Sequence, residues 1–270
     1  MNADRCRVFR ALHESGCFVT PNPWDAGSAK LLVQLGFKAL ATTSCGFAWS
    51  IGRADHDVPV AEVLGHLRSL SAAVEVPVNA DFEKGFGDAP EEVAIHVAAA
   101  AATGIAGVSI EDATGEASNP LFEFTLAVER IRAARRAIDD SRTGVILTGR
   151  SEGFLVGRAD LADTIRRLTA YAEAGAECLY APGLRTMTDI KAVVNAVAPR
   201  PVNVLVGGDF TTVAELADAG VRRISVGGAL ARVALTGFLQ AAREISERGT
   251  FKALSGAASF ADINRHFGTV

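Results

Sequence analysis

The chain has 270 residues, of which 49% are hydrophobic and 21% charged, with a formal net charge of −4. That is ample apolar material for one large barrel or two small domains. The mild negative charge and the lack of a basic block argue against nucleic acid as a partner, and no apolar run approaches membrane-spanning length, so no membrane association is expected. Four cysteines, Cys6, Cys17, Cys45 and Cys178, are scattered without a CxxC pair, so neither a zinc site nor a disulfide framework is expected. The opening segment MNADRCRVFRALHESG is polar and helix-like, not a signal peptide. Cytoplasmic location is the resulting expectation.

After that segment, short apolar, β-rich runs fall at 17–22, 37–44, 76–82, 105–111, 144–150, 177–182, 201–206 and 223–227. Alanine-rich stretches of helical period separate them, at 26–35, 60–73, 90–103, 126–138, 159–174, 188–198 and 213–219, and a longer one at 229–248 follows the eighth run. Gly36, Gly104, Gly175 and Gly220 stand where helix C-caps prefer glycine. Strands apolar throughout imply burial on both faces, hence a parallel sheet covered by helices. Eight such units predict an α/β chain folded as a (β/α)8 TIM-type barrel; an open doubly wound sheet would seldom need eight strands. The catalytic barrel is expected over 1–248, with 249–270 as a C-terminal helical extension of the same domain. Apolar residues recur at helical spacing over 258–267, and such a helix needs a surface to cover, on its own barrel or on a neighbour's.

The stretch Asn79-Ala-Asp-Phe-Glu-Lys-Gly-Phe-Gly87 follows the third apolar run. Asp81 and Glu83 are two apart, so along a strand both carboxylates would face one side. Two acids crowded at the end of a buried strand are costly unless a cation holds them, and a hard divalent ion, Mg²⁺ or Mn²⁺, is the natural choice. In a barrel the chemistry sits at the C-terminal strand ends. There the fourth run brings Glu111, the fifth Arg150, and the loop after the second carries Asp55 and His56. Asp55, Asp81, Glu83 and Glu111 are therefore the expected metal set. Arg150, a planar fork among acids, suits a bidentate grip on a substrate anion, the bland alternative being a salt bridge to Glu111 or Glu152. The small-residue turn Ser44-Cys45-Gly46-Phe47 is expected to offer backbone N–H donors to a carboxylate or a developing enolate. Cys17 and Cys178 read as strand-core residues, and His13, His66, His96 and His266 fall on helices without a functional signal.

Taken together, PNPWDAGSAKLL, TTSCGFA, GRADHD, NADFEKGFG, VSIEDATG, TGRSE and GVRRISVGGALAR make the chain resemble the isocitrate lyase/phosphoenolpyruvate mutase superfamily over nearly its whole length. The resemblance implies a Mg²⁺-dependent barrel acting on 2-oxo acids or phosphonopyruvate-like anions. It implies Asp81 as direct metal ligand and Glu83, Glu111 and Asp55 in the water-mediated shell. Arg150 matches the substrate-anion arginine, and Cys45-Gly46-Phe47 match the amide-donating turn. It also implies a homo-oligomer, a dimer or tetramer that exchanges its C-terminal helix.

The departures are equally specific. The KxCGH loop of the lyases is replaced by Asp112-Ala-Thr-Gly-Glu-Ala-Ser-Asn-Pro-Leu-Phe-Glu-Phe124, without Cys, Lys or His. The lysine- and asparagine-bearing gating loop of the phosphonomutases is matched only by Asn119, and the sixth run ends Tyr180-Ala-Pro-Gly183. The chemistry that tolerates these losses best is carbon–carbon cleavage through a metal-stabilised enolate of a small 2-oxo or 2-hydroxy dicarboxylate, a decarboxylation or a retro-aldol/Claisen step. Arg150, Asp55 and Cys45 are the expected catalytic residues: Cys45 reads as a substitute acid or as a small residue filling a tight turn, and His56 beside Asp55 as a proton shuttle or as a loop histidine facing solvent. Ser44, Cys45, Gly46, Phe47, Asp81, Arg150 and Asn203 are expected to bind substrate. The alternatives are P–C chemistry of the phosphoenolpyruvate mutase or phosphonopyruvate hydrolase type, and a barrel that binds a 2-oxo acid such as 2-oxoglutarate without turning it over.

Overall fold

The computed structural model describes residues 2–268, so Met1 of the expected barrel and residues 269–270 of the expected extension lie outside the described residues. Eight strands run β1 (Phe18–Thr20), β2 (Leu40–Ala41), β3 (Val78–Asp81), β4 (Gly107–Glu111), β5 (Ile146–Arg150), β6 (Cys178–Tyr180), β7 (Val202–Leu205) and β8 (Arg223–Ser225). Every adjacent pair is parallel, in the order β1-β8-β7-β6-β5-β4-β3-β2. At the remaining seam the Ala41 N–H donates to the Pro21 carbonyl at 3.1 Å. Asn22, just after β1, ties the ends of β2 and β8 together. Its Nδ2 donates to the Thr42 carbonyl at 2.7 Å, and its Oδ1 accepts from the Val226 and Gly227 N–H groups, both at 2.9 Å. The ring is a (β/α)8 barrel, as the alternation of elements predicts.

The helices are α1 (Asn2–Glu14), α2 (Ala26–Gln34), α3 (Ser44–Ser50), α4 (Val60–Ala73), α5 (Pro90–Ala101), α6 (Phe124–Ser141), α7 (Leu161–Glu173), α8 (Met187–Val197), α9 (Val213–Asp218), α10 (Ala229–Arg248) and α11 (Phe260–Arg265). Local chemistry sets their starts: Asp25, Asp160, Thr186 and Thr212 cap the orphan N–H groups of α2, α7, α8 and α9 with side-chain oxygens. Helix α6 buries one face, where Ala127, Arg130, Ile131, Ala134 and Ile138 recur at three- and four-residue spacing against the barrel.

Helix α1 plugs the N-terminal end of the barrel. Phe9 is fully buried, with its ring edge-on to His13 at 4.7 Å and to Phe18 at 6.2 Å between centroids. The backbone of β4 comes so close that a Cβ at Gly107 would lie 2.6 Å from the Phe9 ring and 2.5 Å from Asn79 Oδ1. The floor is therefore tightly packed, and the open end is the C-terminal one.

Two local expectations change. The second strand is only two residues long, because Thr43 caps a helix: its Oγ1 accepts from the Gly46 N–H. The small-residue turn is thus the first turn of α3. The tail folds as a 3₁₀ turn (Lys252–Gly256) and then α11, shorter than 258–267. It returns to its own barrel, where the His266 ring meets the Gln34 side chain of α2 at 2.6 Å.

Candidate active site

The strand register delivers the site. Asp81 and Glu111 end β3 and β4, and Glu111 is the Cα partner of Arg150, which ends β5. The Arg150 guanidinium reaches Asp81 Oδ1 and Glu111 Oε2, each at 3.1 Å, and its Nε pairs with Glu152. The salt bridge to Glu111 and Glu152 is thus realised, with Asp81 as a third partner, and the guanidinium lines the mouth. Glu152 is positioned from beneath by Asp112, which accepts the Glu152 N–H at 2.7 Å and the buried Tyr171 hydroxyl at 2.6 Å. The Arg167 guanidinium lies 3.3 Å from the same Asp112 Oδ2 that accepts the Tyr171 hydroxyl.

Glu83 departs from its expected placement beside Asp81. Strand β3 stops at Asp81, and Glu83 has φ +48°. The two-residue alternation no longer applies there, and the two side chains diverge. Asp81 accepts from the Ser44 N–H at 3.3 Å, whereas Glu83 meets His56 Nδ1 at 3.0 Å. His56 Nε2 lies 3.7 Å from Asp55. One ligand atom from each of Asp55, His56 and Glu83 falls within 4.8 Å of the others. The predicted acids form two adjoining clusters, Asp81–Glu111 around Arg150 and Asp55–Glu83 around His56.

Ser44 and Cys45, the first residues of α3, line the cavity at the mouth, where N–H groups of a first helical turn have no intrahelical acceptor. Gly46 and Phe47 do not supply free donors: their N–H groups bond Thr43 Oγ1 at 3.4 Å and the Thr43 carbonyl at 3.1 Å. The Phe47 ring turns away to stack on His66, 3.8 Å between centroids. Helix formation consumes the amides that an extended turn would have left open. The Cys45 sulfur rests 3.2 Å from Thr43 Oγ1. Gly228, at the start of α10, leaves it room, since a Cβ there would sit 2.5 Å from the sulfur.

Electrostatics follow from burial among like charges. The Glu111 carboxyl is pushed up to about 8 by burial, eased by Arg150 and reinforced by Glu152 and Asp81. Glu152 is raised for the same first reason. Burial opposes the charge on Arg150, but Glu111, Glu152 and Asp81 hold its pKa well above the ordinary value. The hydrogen bond to Glu83 raises His56 to about 9 against partial burial, with Asp55 adding. Burial raises the Cys45 thiol, only partly offset by the bond to Thr43. A site whose buried carboxyl stays protonated near neutrality lacks positive charge, and its donors are hard oxygens. The residues therefore fit a divalent cation.

Two spaces meet at this point. A polar cavity of about 160 Å³ descends into the barrel from Asp81, Asp55 and Arg150 to Asn203, Ser225 and Arg223. An outer vestibule shares Ser44, Asp55 and Arg150 and is walled by Glu83, Glu111, Leu155 and the 113–120 loop. That loop is folded on itself by the Ala113–Leu121 bridge, and Lys84 donates to its Thr114 carbonyl at 3.0 Å. Asn203 lies at depth, donating to Ser225 Oγ at 2.9 Å. Lys84 and Arg223 line these spaces although the sequence reading did not single them out, and Glu152, which it weighed only as a salt-bridge partner of Arg150, lines the vestibule.

Residues 9–246 match the family model described as phosphoenolpyruvate phosphomutase. The chain belongs to the phosphoenolpyruvate phosphomutase family. A candidate lyase/mutase from Burkholderia cenocepacia J2315 is similar at 49% identity and TM-score 0.95, covering 99% of this chain and 97% of the other. A candidate phosphonomutase from the same organism is 34% identical with TM-score 0.84, covering 93% and 100%. An oxaloacetate decarboxylase of Rhodopseudomonas palustris strain CGA009 is 29% identical over 270 residues, 95% of this chain and 90% of that protein. The superfamily resemblance read from the motifs holds. No helix among the described residues is long and apolar enough to cross a membrane.

Proposed function

We propose that this family member is a Mg²⁺-dependent carbon–carbon lyase that decarboxylates, or otherwise cleaves next to C3, a small 2-oxo dicarboxylate. The observation that carries the reading is the Arg150-centred cluster of Asp81, Glu111 and Glu152 at the mouth of a polar cavity. The similarity to an oxaloacetate decarboxylase supports it. Asp81, Glu111, Glu83 and Asp55 would hold the ion, Mn²⁺ serving in place of Mg²⁺. When bound, the ion supplies Lewis acidity to the carboxylate and carbonyl oxygens of a 2-oxo acid.

The chain's own residues do the rest. Arg150, with several N–H donors in one plane, exchanges part of its carboxylate shell for the substrate anion. The Ser44 N–H fixes Asp81 from behind. The Cys45 thiol, kept protonated by burial, is assigned to deliver a proton to C3 after the C3–carboxylate bond has broken and CO₂ has left with its electron pair remaining on the substrate. The 113–120 loop brings no cysteine, lysine or histidine of its own, which suits decarboxylation, a step that begins without a base.

A second reading, P–C chemistry on a phosphonopyruvate-like anion, draws support from the family description and the phosphonomutase-like relative. A panel of oxo acids and phosphonopyruvate incubated with Mg²⁺ decides between them: release of CO₂ or pyruvate from a dicarboxylate is expected, and turnover of phosphonopyruvate alone would reverse the assignment. Asp81→Ala is expected to abolish Mg²⁺-dependent oxalate binding in calorimetry, and unchanged affinity would remove the metal assignment.

We also assign the protein to the cytoplasm, consistent with four unpaired cysteines, and to a homo-oligomer. On α10 only Ala231 is buried, while Val233 and Phe238 are 71% and 66% exposed and Phe260 of α11 is 83% exposed. Light scattering at the protomer mass would exclude the oligomer.

A further inference from the structure

We infer that the floor of the barrel cavity, at Arg223, is an anion subsite that takes the distal carboxylate of a short diacid whose other end occupies the mouth. This rests on the proposed function and adds where the second carboxylate goes.

Arg223 opens β8, is 3% exposed and lines the cavity. Its Nε donates to Asn203 Oδ1 at 2.9 Å and its Nη2 to Thr148 Oγ1 at 3.1 Å, while its Nη1 lies 3.5 Å from His13 Nε2. A guanidinium carries five N–H donors in one plane, so these three contacts leave capacity for two more acceptors. Each partner is neutral. Burial, and then Arg223 itself, drives the His13 pKa down to about 3, so that ring is uncharged at physiological pH. Among the described residues no carboxylate bonds Arg223, in contrast to the three that surround Arg150. A buried cation without a counter-charge is unfavourable unless an anion joins it.

The span suits a diacid. Thr148 lies two residues below Arg150 on β5, on the same face, so the Arg223 guanidinium touching it sits about 7 Å beneath the mouth at the usual rise of a strand. That is comparable to the separation between the terminal carboxylates of a short 2-oxo diacid. The cavity's 160 Å³ far exceeds the ~10–15 Å³ that a single water needs by the same measure.

The test compares ligands that differ only at the distal end. Calorimetry with Mg²⁺ would measure oxalate, 2-oxopentanoate and 2-oxoglutarate on the wild type, Arg223→Gln and Asn203→Asp. The wild type is expected to prefer 2-oxoglutarate over 2-oxopentanoate by about tenfold or more, which at ~1.4 kcal/mol per decade is one good charge-assisted bond. Arg223→Gln is expected to erase that preference while leaving oxalate within about twofold. Asn203→Asp, which sets an internal carboxylate against Arg223, is expected to do the same and decides the matter if the first variant does not fold. Equal weakening of all three ligands in a folded variant would show that Arg223 is only structural and overturn the subsite. Oxalate binding with no preference for the diacid in the wild type would overturn it too, while leaving the proposed function standing. Failure of the wild type to bind oxalate with Mg²⁺ would sink both.

Discussion

Arg150, half-buried, and Arg223, buried, belong to the same barrel and are linked by a single row of paired residues through Tyr180 and Asn203, yet their surroundings are opposite. At the mouth, Arg150 is held by Asp81, Glu111 and Glu152. At the floor, Arg223 is held by an amide, a hydroxyl and an uncharged imidazole. The row descends because barrel strands tilt and their register is staggered. The same ladder therefore carries one arginine to the open end, where loops bring acids, and the other to the closed end, where α1 brings Phe9 and His13. Charge at the mouth is over-supplied with anions and suits a cation; the floor is the reverse. A polar shaft between two such ends is matched to a ligand that brings a metal-chelating head and an anionic tail.

The largest expected effect breaks the mouth. Arg150→Gln leaves the buried Glu111 and Glu152 and the half-buried Asp81 without their cation, and truncating one partner of a buried ionic cluster costs about 3–5 kcal/mol. Urea unfolding should show that loss, with catalytic turnover falling on the order of 10³-fold. A stability change under about 1 kcal/mol would mean that the carboxyls accommodate by protonation, and that Arg150 is not the hub of the cluster.

Packing at the floor is tested by Gly107→Ala. The added Cβ would meet Phe9 and Asn79 at 2.6 and 2.5 Å, an overpacking worth about 1–3 kcal/mol. Adding Phe9→Leu should recover part of it, since residues in contact couple. Independent, additive effects would contradict the close approach of α1 to β4.

The smallest effect concerns pH. Glu111 holds its proton up to about 8 in the fold against an ordinary 4.5, so its contribution to stability declines as pH rises from about 4.5 through 8. Imidazolium at His56, raised from 6.5 to about 9, contributes fully below 6.5 and is lost as pH rises through 9. Both run in one direction. Metal-free protein should therefore melt a few degrees lower at pH 9 than at pH 6, and Mg²⁺ should narrow the gap, because a cation favours the ionised carboxylates. Melting points that do not change with pH after chelator treatment would contradict the electrostatic picture of the mouth.

The fold and the chemical character of the mouth were legible without coordinates. Eight apolar runs between helical segments admit few other solutions, and Asp81, Glu111 and Arg150 end strands whose alternation and register are short-range properties. Glu83 and the 44–47 segment were misplaced for a related reason. Each lies just past a strand end, where one residue in the left-handed region or one capping threonine redirects every following side chain and amide. Glu152 sat in view in TGRSE, but its role depends on Asp112 and Tyr171 supporting it from other elements.

Sequence alone thus determined the barrel, the family and the gathering of acids with an arginine at its open end, because periodicity and strand-end position encode them locally. Only the tertiary structure decided which carboxylates share Arg150, that Gly46 and Phe47 spend their N–H groups inside a helix, and that Arg223 lies at depth beside His13. Those outcomes depend on strand stagger and on a helix packed across the barrel floor, which bring together residues as far apart as 210 positions and leave no mark in any local pattern.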